Sequence, residues 1–269
     1  MIEMNLGTTL LSLRNQKPLV HNITNFVVMN YTANALLAVG ASPVMAHAPE
    51  EVEEMVGLAG SLVINIGTLS STWVEGMEKA MVAACQLGKP VVLDPVGAGA
   101  TTFRNDTLLR LLAAGTPSII RGNASEIMAL AGQQGQTRGV DSTQFSTEGL
   151  ESAQMLCRQL GCVVSISGET DVVVGPESVA YISNGNPIMT RITGMGCTAS
   201  ALAGAFAAIA PNAFEAAVAA AAVMGVCGEL AYEGAHLPGS FQMSFLDKLS
   251  SLSPAELDER VQITIENNG

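Results

Sequence analysis

Charge, aromatic rings and paired cysteines are all scarce in this chain. Only 13% of its 269 residues are charged, and 12 Lys and Arg stand against 24 Asp and Glu, a net charge of −12. With no basic block, nucleic acid and anionic membrane are excluded as partners. An acidic protein that takes a phosphate-rich ligand needs a metal ion or helix N-termini to offset the repulsion. The five cysteines (Cys85, Cys157, Cys162, Cys197, Cys227) are an odd number without Cys-x-x-Cys spacing. That argues against a disulfide framework or a zinc site and fits a reducing cytoplasm. His21, His47 and His236 have no ligand spacing. No Walker A sequence is present, which excludes P-loop phosphate chemistry. A dinucleotide fingerprint is missing too: Gly97 and Gly99 lack the third glycine and lie mid-chain. The first residues carry no basic stretch, so no secretory signal is expected. The most membrane-like run, Ala199 to Val226, is broken by Pro211, Asn212 and Glu215, so two buried helices are expected rather than a span.

What the chain has is aliphatic bulk in a repeating order. It is 48% hydrophobic but 4% aromatic, a composition suited to helices packed closely on a sheet buried on both faces. Extended runs fall at Pro18–Phe26, Ser42–Met45, Ser61–Ile66, Lys89–Asp94, Pro117–Arg121 and Cys162–Ser167. Helical spacing lies at Met4–Arg14, Phe26–Val39, from Pro49 onward, and at Thr72–Leu87, Thr101–Ala113, Asn123–Ala131 and Glu148–Leu160. This alternation predicts an α/β architecture with a mostly parallel sheet and helices on both faces. Asp171–Val174 and Val179–Ile182 read as a hairpin that adds antiparallel strands, and Val261–Ile265 as a last edge strand. Asn22, Thr24 and Asn25 are good helix-capping types. Helices are expected from the 194–201 stretch to Ile209, over Asn212–Tyr232 and around Phe241–Leu249. The Gly-, Gln-, Ser- and Thr-rich segment Gly132–Thr147 reads as a loop, and residues 1–269 as one domain.

In an open parallel sheet, ligands bind beyond the carboxyl ends of the strands. Four such places pair glycine with polar groups. One is Asp94-Pro95-Val96-Gly97-Ala98-Gly99, with Asp94 closing its strand. Others are Arg121-Gly122-Asn123-Ala124-Ser125-Glu126 and Ser165-Ile166-Ser167-Gly168. The fourth, Thr190 to Ala201, is a polar loop running into a small-residue helix. There Gly194 and Gly196 permit positive φ, and the bare helix N-terminus offers an anion hole with Cys197 at its mouth. Each has a plainer explanation: Asp94 capping a turn, Asn123 and Glu126 forming a capping box, Met45 simply packing in the core. Arg121 is harder to explain without an anion, because a buried guanidinium needs one. Asp94 and Glu126 are hard oxygen ligands that suit Mg2+, with waters and phosphates completing its shell. Together these groups describe phosphoryl transfer.

The segments Gly194-Met195-Gly196-Cys197, Asp94 to Gly99 and Asn123-Ala124-Ser125-Glu126 resemble signatures of the ribokinase-like superfamily. His21-Asn22-Ile23-Thr24-Asn25 and Pro43-Val44-Met45 resemble its hydroxyethylthiazole kinase branch. The resemblance spans essentially the whole chain. It implies a three-layer α/β/α fold and transfer of the ATP γ-phosphate to the hydroxyl of 4-methyl-5-(2-hydroxyethyl)thiazole, with Mg2+, in thiamine salvage. It also implies an anion hole from Gly194, Gly196 and Cys197, and ATP contacts from Arg121, Ser167 and Asn123. Asp94 and Glu126 would organise the metal, and Met45 and Gly194 would bound the thiazole. A cytoplasmic homotrimer is implied, with sites between subunits, so that Asn25 and Val27 reach a neighbour's site.

The superfamily mostly carries aspartate where this chain has Cys197, and the thiazole-kinase branch carries cysteine. Rival readings are a sibling kinase for hydroxymethylpyrimidine or pyridoxal, and a cysteine-nucleophile acyl transferase. The last needs a partnered base, and no histidine falls at a predicted strand end near Cys197. Phosphoryl transfer through a loose transition state needs little base help, because positioning and electrostatics dominate. Cys197→Ser is therefore expected to keep measurable turnover and Cys197→Asp to be active in steady-state assays. A Cys197→Ser enzyme that binds both substrates yet never turns over would contradict an auxiliary role for the thiol.

Overall fold

The computed structural model describes residues 4–132 and 142–267. Its nine strands form a single sheet in the order β2-β1-β3-β4-β5-β6-β7-β8-β9. Here β1 is Leu19–Ile23, β2 Ser42–Val44, β3 Ser61–Asn65, β4 Val91–Asp94, β5 Ile119–Asn123 and β6 Val163–Ser167. These six run parallel, whereas β7 (Asp171–Val174), β8 (Ser178–Ile182) and β9 (Ile263–Asn267) add on antiparallel. The expected hairpin and edge strand are therefore both present.

Two apolar cores, one on each face, follow from the alternation of strand side chains. Val63 and Val92 enter one core, while Leu62, Ile64, Val91 and Leu93 enter the other. The second core is closed by α3 (Val52–Leu58), α4 (Ser71–Gln86), α5 (Thr102–Ala114), α6 (Ala124–Leu130) and α7 (Ser142–Leu160). The first is closed by α1 (Leu6–Gln16), α2 (Met29–Val39), α8 (Met195–Ala207), α9 (Ala213–Gly234), α10 (Pro238–Ser251) and α11 (Pro254–Arg260). The result is three layers, with the sheet between two sets of helices.

Helix α8 lies against the middle of the sheet because its side chains are small. Ser61 Oγ donates to the Gly204 carbonyl at 2.7 Å, and a Cβ on Gly204 would run into the side chains of Val63 and Val20. Both α8 and α9 are apolar nearly all round, which marks buried helices. Although α9 has the length and composition of a membrane span, 78% of its most apolar window is buried inside the protein.

Several boundaries differ from expectation. Helix α7 starts at Ser142 rather than Glu148, so the expected loop is shorter; its part at 133–141 lies outside the described residues. The Ser and Thr residues there suit caps and turns as well as a first helical turn. Residues 187–191 form a 3-10 helix, and α11 was hidden by its length of seven residues. Asn22, Thr24 and Asn25 cap nothing, since α2 starts only at Met29 and has no side-chain cap. All three are instead buried where β1 ends. Replacing Gly204 by Ala should cost about 1–3 kcal/mol through overpacking, read as a lowered denaturation midpoint. Adding Val63→Ala should recover much of that loss; an additive double variant would show that the approach of α8 to β3 is not the cause.

Candidate active site

Val20, Val63, Val92, Ile119 and Val163 form the apolar floor beneath the first-core helices. Two residues further along each strand, on the same face, stand Asn22, Asn65, Asp94, Arg121 and Ser165, all of them buried. Asn65 lies opposite Asp94 in register and Arg121 opposite Ser165. The sheet thus changes from apolar to polar in one step, at its carboxyl end.

Asp94 sits at the centre, 3% exposed. Its Oδ2 accepts from Asn65 Nδ2 and from the Ser200 hydroxyl, both at 2.7 Å. It does not cap a turn. Burial pushes its pKa up to about 6, the Arg121 charge and the Ser200 and Asn65 hydrogen bonds oppose that, and Glu126 adds repulsion. Arg121 is 9% exposed, and its Nη1 donates to the Gly196 carbonyl at 3.0 Å. Its charge also acts on Asp171, whose pKa burial raises and whose Oδ1 accepts from the Gly168 N–H at 3.0 Å.

Helix α8 brings its N-terminus onto this polar row. The cap residue, Gly194, has φ +90° and no side chain to offer. A Cβ there would lie 2.8 Å from Val28 Cγ1, so both backbone conformation and space demand glycine. Gly196 differs from expectation: it is helical, with no positive φ, and faces Arg121. First-turn amides have no intrahelical partner. Cys197 Sγ accepts from Asn25 Nδ2 at 3.4 Å. Burial and the Asp94 charge push its pKa up to about 11, against the Asn25, Asn65 and Arg121 contributions. A helix N-terminus contributes at most about 2 kcal/mol, near one and a half pKa units. Desolvation wins, and the group is a thiol at neutral pH.

Glu126 has two tasks. It completes the capping box of α6, accepting from Asn123 N at 2.9 Å, and its other oxygen accepts from Gly97 N at 2.8 Å. Asn123 Oδ1 is taken up by Glu126 N and Ser125 Oγ, so any ligand contact from this side chain falls to its nitrogen. Ser167 is half-buried and donates to the Gly122 carbonyl at 3.4 Å. Met45 follows β2, half-buried against the first core. Val27 is 65% exposed, whereas Asn25 is 3% exposed and bonded within its own chain. Among the described residues, no group of three or more His, Cys, Asp and Glu could hold a metal. The two-carboxylate set at Asp94 and Glu126 instead fits Mg2+, which keeps waters and phosphates, and their mutual repulsion favours a cation nearby.

Sequence reasoning missed Asn65, Ser200 and Arg104. Asn65 ends its strand as Asp94 ends the next, a signal within reach of strand alignment. Ser200 lies three residues after Cys197, on the same helix face. Arg104 gave no signal: its guanidinium joins the loops after β3 and β4, donating to the Ile66, Val96 and Gly67 carbonyls.

Comparison with known proteins bears on the family of the chain. The chain matches the Hydroxyethylthiazole kinase family over residues 10–255. It is 55% identical over 248 residues to a hydroxyethylthiazole kinase of Leptospira biflexa, covering 92% of this chain and 93% of that one. A hydroxyethylthiazole kinase protein from Pyrococcus horikoshii OT3 superposes with a TM-score of 0.89 at 42% identity, covering 97% and 98% of the two chains. A ribokinase-like superfamily protein from Enterococcus faecalis V583 shares the fold at 14% identity, with a TM-score of 0.61 and coverage of 88% and 87%. Sequence and fold together place this chain in the hydroxyethylthiazole kinase family.

Proposed function

We propose that the cleft transfers the γ-phosphate of ATP to the primary hydroxyl of 4-methyl-5-(2-hydroxyethyl)thiazole. The observation that carries this reading is the meeting of Asp94, Arg121 and the N-terminus of α8, capped by no side chain, at one end of the sheet. In a protein with net charge −12, Arg121 and the helix N-terminus supply the local positive potential that an anionic transition state needs. Arg121 holds phosphate oxygens, with Ser167 and Asn123 at the nucleotide side. The amides of Gly194 to Cys197 receive charge that develops on the transferred group. Asp94 and Glu126 would hold Mg2+ through waters, and that ion would neutralise charge on the phosphates. Met45 and Gly194 bound the thiazole ring.

Cys197 is a hydrogen-bonding group in this reading. Its raised pKa removes the thiolate that an acyl-transfer nucleophile needs, and its hydrogen-bond donor is an asparagine, not a histidine. The protein acts as a cytoplasmic homotrimer with sites between subunits. Exposed Phe26 and Val27, 70% and 65% accessible beside the site, support an apolar contact there.

ATP-dependent phosphorylation of a panel of thiazole, pyrimidine and pyridine alcohols tests the substrate; a pyrimidine or pyridine preference would overturn it. Arg121→Ala should weaken ATP far more than the thiazole, and equal losses would refute its phosphate role. Alkylation of Cys197 by iodoacetamide, followed by peptide mapping, should still rise about tenfold per pH unit between pH 7 and 9. A plateau within that range would show a low-pKa thiolate instead.

A further inference from the structure

Asn65 is buried, 1% exposed, at the last position of β3. Its Oδ1 accepts two hydrogen bonds, from the Gly67 backbone N–H at 2.9 Å and from Asn25 Nδ2 at 2.8 Å. Its Nδ2 donates to Asp94 Oδ2 at 2.7 Å. A backbone N–H can only donate, so Gly67 fixes which end of the Asn65 amide is oxygen. The opposite orientation would set an NH2 group against that donor and a carbonyl oxygen against the Asp94 carboxylate. Asn65, so oriented, requires the nitrogen of Asn25 to face it. The same Asn25 nitrogen then gives its second proton to Cys197 Sγ at 3.4 Å. Donor and acceptor are therefore assigned at every link from Gly67 to Cys197 and from Gly67 to Asp94. A flipped amide anywhere along it leaves a buried group unsatisfied, at about 1–3 kcal/mol.

We propose that Asn65 is a positioning residue of the phosphoryl-transfer site, tying the Asp94 carboxylate to the Cys197 thiol through Asn25 and fixing the direction of each hydrogen bond between them. The proposal rests on the reading of this cleft as the site of phosphoryl transfer. It gives Asn25 a role within its own subunit. It also explains Gly67, where a Cβ would lie 2.6 Å from Asn25 Nδ2 and 2.9 Å from Asn65 Oδ1. Because the φ of Gly67 is not positive, alanine fits its backbone, and the atoms nearest its Cβ belong to the two asparagines.

The test compares Asn65→Asp, Gly67→Ala, Asn25→Ala and the Asn25→Ala/Asn65→Asp double variant with the wild type. Each is assayed for kcat and KM with the alcohol that the wild type phosphorylates best, and for nucleotide affinity by direct titration. Asn65→Asp keeps the acceptor and the shape but loses the donor to Asp94. Gly67→Ala leaves Asn65 itself intact and decides the matter should the aspartate variant fail to fold. Misplaced reacting groups should lower kcat by about 10²-fold, with nucleotide affinity held within about twofold. The double variant should fall no further than the worse single one, because the two asparagines act as a unit. Wild-type kcat in folded Gly67→Ala or Asn65→Asp overturns the proposal, as do losses that multiply in the double variant. A wild type that prefers another alcohol overturns the substrate assignment alone, and the variant-to-wild-type ratios still judge Asn65.

Discussion

The close approach of α8 to the parallel sheet is the contact on which the rest of the structure depends. Glycine, alanine and serine along α8 let its backbone settle on Val20 and Val63. A Cβ at Gly204 would push against both valines. That depth puts the helix N-terminus level with the polar ends of β3, β4 and β5. Packing and electrostatics are thus a single design: the apolar floor fixes the height of the helix, and the height brings its amides to Asp94 and Arg121.

The site shows how an acidic protein can offer local positive potential. Isolated charges are costly to bury, yet Asp94 and Arg121 sit close together, each with uncharged hydrogen-bond partners. Asp94 is met by an amide and a hydroxyl, Arg121 by a helix carbonyl. Hydrogen bonds of this kind are strengthened in a low-dielectric interior. The same dryness keeps Cys197 a thiol despite its place at a helix N-terminus.

Much of this was legible in the residues. Near-continuous apolar runs such as Ser61–Ile66 and Lys89–Asp94 can only be strands buried on both faces, and their alternation with helical spacing imposes parallel order. Asp94, Arg121, Glu126 and Cys197 each stand within four residues of a glycine, near the carboxyl end of a strand or the start of a helix, where polar chemistry has little other reason to be. Less was visible where one residue type serves two purposes. Asn22 and Asn25 have the chemistry of helix caps, and only the start of α2 at Met29 shows that they point into the site instead. Asn123 and Glu126 do form the expected capping box, but the second oxygen of Glu126 reaches Gly97, across to a different loop.

The sequence by itself determined the periodicity, and with it the layers, the parallel sheet and the end of the sheet at which chemistry must lie. Those are local properties, set by side-chain alternation and by the backbone freedom of Gly194. Only the tertiary structure decided partnership. Asn65 and Ser200 stand 29 and 106 residues from Asp94, Arg104 holds two loops from helix α5, and Asn25 meets Cys197 across 172 residues. A hydrogen bond depends on distance and direction, and neither is written in spacing along a chain.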